Sequence, residues 1–177
     1  MQLTIDQVKS TYGGFIQAYA EQNGIPSNAG SLQNYIDVVS GIIERESQGD
    51  PNAVGDNGCS IGLMQLNTCA GTPQQFGYTP GVDNLYDPQT NISYGCSYLN
   101  SLLNQYSVAQ AISAYNAGSP IAGNIGTYVN VVLNYASQLG STITNAFLSN
   151  PLPFILVAGV VIIGVVQQAY PSFQDAA

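Results

Sequence analysis

The chain of 177 residues has no histidine and no tryptophan, and Lys9 and Arg45 are its only cations. Each shortage excludes chemistry. Without histidine there is no Ser-His-Asp triad, no Cys-His dyad and no HExxH zinc site. Three cysteines, Cys59, Cys69 and Cys96, cannot fill a four-cysteine zinc site. We therefore expect neither metal nor cofactor. Two cations give a polyanion almost nothing to grip, so no nucleic-acid partner is expected. No GK[ST] phosphate loop is present. Charged residues make up 7% of the chain, against about 25% in ordinary globular proteins. Polarity comes instead from Asn, Gln, Ser, Thr and Tyr. If the protein is an enzyme, a carboxylate or a tyrosine must handle its protons.

What is present reads as a folded, mostly helical body. Apolar residues are 45% and aromatics 10%, which is not a disordered composition. Leu3 to Gln22 has helical spacing, with Thr4 and Gln7 placed for a capping box. Further helices are predicted over Leu32–Ser47, around Ile92–Tyr106, over Val108–Tyr115 and over Tyr128–Leu139. Long loops join them, and no alternating strand pattern exceeds four residues. Residues 1–30 read as an N-terminal helix and turn, and 31–140 as the main domain. The N-terminal segment lacks the basic leader and continuous apolar core of a secretory signal. The odd cysteine count allows a disulfide with one free thiol in three connectivities, or three buried thiols.

The C-terminal part differs in kind. Leu152 to Val166 is 15 residues without a polar side chain. A helix over 152–170 would be about 28 Å long, close to a bilayer core of roughly 30 Å. The expectation is a transmembrane helix at 152–170, with 141–151 as linker, 171–177 as tail, and a lipid bilayer as partner. The alternative is a buried hairpin helix of the same domain.

Glu21, Glu44 and Glu46 are the three glutamates. On a helical wheel Tyr35, Val39, Ile42 and Ile43 fall within about 60° of Glu46, while Glu44 points away. A carboxylate on an apolar face at the negative end of a helix is disfavoured in its charged form. Such a group holds a proton near neutral pH, as a general acid must. The alternative is a helix end that bends Glu46 out to solvent.

The neighbours of Glu46 add a pattern. Glu46-Ser47 is followed by Gly62-Leu63-Met64-Gln65, then by Asp87-Pro88 with Asn91-Ile92, Gly95 and Tyr98-Leu99. Ala114-Tyr115-Asn116-Ala117-Gly118 and Tyr128-Val129 close the series. In this order the chain resembles the soluble lytic transglycosylase catalytic domain, related to goose-type lysozyme, over about residues 32–136. The resemblance implies a lysozyme-like helical fold and a peptidoglycan substrate. It implies Glu46 as the single acid/base cleaving the bond between N-acetylmuramic acid and N-acetylglucosamine, with a 1,6-anhydro product. Ser47 would position Glu46 or the substrate. Gly62, Leu63, Met64 and Gln65 would line the cleft floor, with the Gln65 amide on sugar. Tyr115 and Asn116 would shape the site, and the Tyr128 hydroxyl would face the carboxylate.

Two features depart from the family. Asn124-Ile125-Gly126-Thr127 stands where a Glu-Thr pair is common. Cys59 and Cys69 flank the Gly62 motif; if paired, they would clip that loop, which suits an oxidising envelope. The same fold also admits a hydrolytic lysozyme, with Asp50 or Asp56 holding water, or an inactive structural protein. The apolar terminus and missing signal imply a membrane-anchored enzyme of a membrane-containing bacteriophage, held in the virion membrane and opening the wall. The bacterial envelope is the alternative location. Other virion or envelope proteins are possible partners.

Overall fold

A computed structural model describes residues 2–121 and 128–138. The chain forms α1 (Ile5–Asn23), α2 (Leu32–Ser47), β1 (Val54–Gly55), β2 (Ser60–Ile61), β3 (Leu66–Asn67), α3 (Pro88–Leu103), α4 (Val108–Ala117) and α5 (Asn130–Gln138). Each longer helix starts where its sequence supplies a cap. Thr4 and Gln7 make the reciprocal box at α1. Ser31 accepts from Asn34 N at α2, and Asp87 accepts from Thr90 N ahead of Pro88 at α3.

α2 is the central helix. Tyr35 through Ile43 are all buried, so its whole circumference is covered and not one stripe alone. α1 packs along it with Val8, Tyr12, Ile16 and Ala20 in the shared core, and α5 covers another side through Val132 and Leu133. That core contains one buried carboxylate, Asp37, whose Oδ1 accepts from Lys9 Nζ at 2.7 Å and Gln33 Nε2 at 2.8 Å. One of the two cations is thereby committed to holding α1 on α2. Tyr12 adds a second tie, donating to Gly49 O at 2.9 Å just past the end of α2.

Two expectations are corrected. The fold is not helices and loops alone: β1, β2 and β3 form an antiparallel sheet, with Val54 opposite Ile61 and Ile61 opposite Leu66. Each strand is two residues long, too short to show period-two alternation. The membrane helix is not supported either. No helix among the described residues is long and apolar enough to cross a membrane. The linker, span and tail expected at 141–177 lie outside the described residues. Membrane anchoring, in a virion membrane or in the bacterial envelope, and a bilayer partner therefore have no helix among the described residues to rest on.

The cysteine question is settled locally. Cys59 and Cys69 are bonded, and Cys96 is a buried thiol. The bridge closes the segment that carries β2, the Gly62 motif and β3. Closing a loop of this size removes unfolded-chain entropy and contributes about 2–4 kcal/mol.

Candidate active site

Glu46 sits in the last turn of α2, half-buried where that helix meets the sheet. Burial raises its pKa above the ordinary carboxylate value; the Tyr128 hydrogen bond and the Arg45 charge act against this, and the Asp56 charge acts with it. Tyr128, two residues ahead of α5, donates its hydroxyl to Glu46 Oε1. Tyr128 is itself buried, and burial together with the nearby carboxylate holds its pKa well above the usual tyrosine value. It therefore remains a donor across the working pH range. The Arg45 guanidinium lies 5.7 Å from the centre of the Tyr128 ring, within cation–π reach. Consecutive residues of α2 thus grip the two ends of one tyrosine: Arg45 its face, Glu46 its hydroxyl.

The Gly62-Leu63-Met64-Gln65 turn forms the adjoining wall, and three elements fix it. From α2, Ser47 Oγ shares its proton between Leu63 O at 2.8 Å and Ile43 O at 3.1 Å. From α4, Tyr115 donates to Met64 O at 2.9 Å. From α3, Asn91 is fully buried; its Oδ1 accepts from Met64 N, and its Nδ2 donates to Ile61 O and Leu85 O, each at 2.9 Å. One turn further along α3, Gly95 lets the Met64 side chain in; a Cβ there would stand 2.2 Å from Met64 Sδ. Gly62 has φ +76°, and a Cβ on it would meet Asn91 Nδ2 at 2.3 Å and Leu85 O at 2.4 Å. A side chain at Gly62 would be strained in backbone and in space alike.

Gln65, read in the sequence as a sugar contact, makes backbone bonds with its amide nitrogen. Its φ is +45°, and its amide nitrogen donates to Ala53 O at 3.2 Å and Gly62 O at 3.0 Å. Both amide protons are spent on the turn, so Gln65 braces the wall. Leu63 and Met64 are buried side chains whose carbonyls carry the bonds. Tyr115 is half-buried, and its pKa is raised by burial and by the Glu46 charge. Its ring packs on Tyr98 at 5.0 Å between centroids. Asn116 follows it, exposed in the last turn of α4. Glu46, Tyr128 and Tyr115 thus share one site, with Ser47, Gly62, Met64 and Gln65 in its wall.

Sequence reasoning missed Arg45 and the coupling of Asp56 to the acid. Asp56 has φ +50° and accepts from Ser60 Oγ at 2.5 Å. The two charged neighbours push Glu46 in opposite directions, so their removal has opposite signs. Arg45→Met removes a charge that favours the carboxylate. Glu46 then keeps its proton to higher pH, and the alkaline fall of kcat/KM shifts upward. Arg45→Lys keeps the charge and is expected to hold the limb near its original position. pH profiles of the two variants check this.

A family model described as "Transglycosylase SLT domain" matches residues 26–130. The chain belongs to the transglycosylase SLT domain family. A relative named "Transglycosylase", from Enterobacteria phage PRD1, is 35% identical over 94 residues. That match takes in 51% of this chain and 33% of the relative. The SLT match encloses Glu46, the Gly62 turn, the Asn91 clamp, Tyr115 and Tyr128. All parts of the site described above therefore lie within one family domain.

Proposed function

We propose that this SLT domain is a lytic transglycosylase acting on peptidoglycan, with Glu46 as its acid and then its base. The observation that carries the reading is a half-buried carboxylate whose proton is held by burial and whose Oε1 receives the Tyr128 hydroxyl. The target is the β-1,4 bond from N-acetylmuramic acid to N-acetylglucosamine. Glu46 gives its proton to the glycosidic oxygen, and the C1–O4 bond breaks with its electrons passing to O4. The departing N-acetylglucosamine leaves as the 4-hydroxyl. The resulting carboxylate, steadied by the Tyr128 donor, takes the proton of the muramic 6-hydroxyl as O6 bonds to C1. A 1,6-anhydro end forms, Glu46 is again protonated, and no water is consumed. Glu46→Gln, which cannot give a proton, tests the reading in a sacculus-lysis assay.

Hydrolysis is the second reading, favoured by Asp56, whose charge reaches Glu46. Asp56→Asn separates the two. If Asp56 holds an attacking water, reducing ends disappear from the products. If transglycosylation is the route, anhydro ends persist. If transglycosylation is the route, the alkaline limb of the retained activity moves to lower pH, because a charge that raised the Glu46 pKa is gone.

The phage relative supports a phage setting, and we propose that in it the enzyme travels with a virion and opens the wall during genome delivery. Mass spectrometry of purified particles tests this placement; particles that lack the protein would remove it.

A further inference from the structure

A groove of about 460 Å³ lies between the sheet and the loop that follows β3. It is bounded by Ile61, Gln74, Tyr78, Asp83, Asn84 and Tyr86, among others. The chemistry described above uses none of these side chains. One of the large hydrophobic residues exposed among the described residues, Tyr86, lines it, beside Tyr78. An exposed ring at a concavity that also holds polar side chains suits a binding place.

The lining indicates the kind of ligand. It holds one carboxylate and no cation, so no charge in it balances an anionic group. Asn84 uses Oδ1 on Tyr86 N at 3.0 Å and keeps its two amide protons. Asp83 uses Oδ2 on Thr79 N at 2.7 Å and on the Tyr94 hydroxyl at 3.1 Å, and keeps Oδ1. Amide donors, a carboxylate acceptor and tyrosine faces suit a neutral ligand with an acetamido carbonyl, hydroxyls and an apolar ring face.

The groove is also linked to the acid. Tyr115, beside Glu46, packs on Tyr98, and Tyr98 lies 6.2 Å from Phe76. Phe76 belongs to the short turn Pro73–Phe76, which carries Gln74 and leads to Tyr78. All three rings of this row are half-buried. On the other side, Ile61 directly precedes the Gly62 turn.

We propose that this groove is a second carbohydrate subsite, taking an N-acetylhexosamine unit of a glycan strand at a distance from the bond that Glu46 breaks. The assignment rests on the transglycosylase reading for its substrate, and its test reads binding separately from lysis. Full-length Glu46→Gln protein is titrated with tetra-N-acetylchitotetraose and followed by amide NMR. The expected result is movement of the Asn84 and Tyr86 amides. Tyr86→Ala and Asn84→Ala on that background should weaken binding at these resonances about tenfold, equal to 1.4 kcal/mol. In the active enzyme, Tyr86→Ala should raise KM on long strands while kcat is retained. Shifts confined to the surroundings of Glu46 would overturn the proposal. So would groove shifts caused by a sugar-free stem peptide but not by the oligosaccharide. If Glu46→Gln still lyses sacculi, the catalytic reading fails, while the titration still decides whether the groove binds sugar.

Discussion

Glu46→Gln is expected to reduce lysis of purified sacculi by roughly 10²–10⁴-fold, the usual contribution of a positioned general acid. The same variant should be at least as heat-stable as the wild type at pH 7. Burial raises the Glu46 pKa in the folded chain above its unfolded value of about 4.3. The folded state then binds the proton more tightly. Stability from this group is fully present below the unfolded pKa and is lost as pH rises through the folded pKa. Above the unfolded pKa the wild type must, on folding, either bury a charge or take up a proton, and glutamine does neither. Glutamine has nearly the same volume, carries no charge, and its amide oxygen can accept from Tyr128. Thermal melts at pH 7 and pH 3.5 check the sign: the variant's advantage is expected at pH 7 and should vanish at pH 3.5. A chain of this size gains about 2–4 °C for each kcal/mol. Loss of lysis together with a lower melting temperature would point to damage and not to chemistry.

The second large effect concerns a residue that never touches the acid. Asn91→Ala removes three hydrogen bonds at once and leaves Met64 N, Ile61 O and Leu85 O without their partner. Each buried polar group left unpaired costs about 1–3 kcal/mol. Three such groups together cost roughly 3–9 kcal/mol, a large share of the roughly 5–15 kcal/mol that holds an ordinary domain together. Urea unfolding should show a lower midpoint with an unchanged slope. Activity should fall as well where the protein is still folded, because the Gly62 turn carries the Met64 carbonyl that Tyr115 holds. Asn91→Asp is expected to be nearly as harmful, since it removes both donors and turns a carboxylate toward two carbonyls.

The helices were legible because their signals are local. Thr4 with Gln7 and the apolar spacing set α1, and spacing alone set α2, close to their observed bounds, whereas α3 starts at Pro88, four residues ahead of the spacing that begins at Ile92, because Asp87 caps it there. The position of Glu46 on α2 followed from the same periodicity, and the ordered motifs pointed to the family. The sheet was not legible, because two-residue strands carry no period. Nor was the work of individual polar groups. Gln65 reads as a free amide in sequence and is consumed by two backbone carbonyls in the fold. Asn91 reads as structural, yet its three bonds join segments as far as 30 residues apart. Arg45 sits beside the acid in sequence, but its contact with the Tyr128 ring depends on how α5 packs on α2. The terminal apolar run led to a membrane helix that no described residue supplies.

In the proposed reaction one carboxylate, Glu46, cuts the glycan and regains the proton without water. Mass spectrometry of the strand ends released from purified sacculi tests this most directly. The wild type is expected to release 1,6-anhydro-muramic ends, each one water lighter than a reducing end, and Glu46→Gln none. Reducing ends as the sole product, or anhydro ends persisting in Glu46→Gln at the wild-type rate, would contradict it.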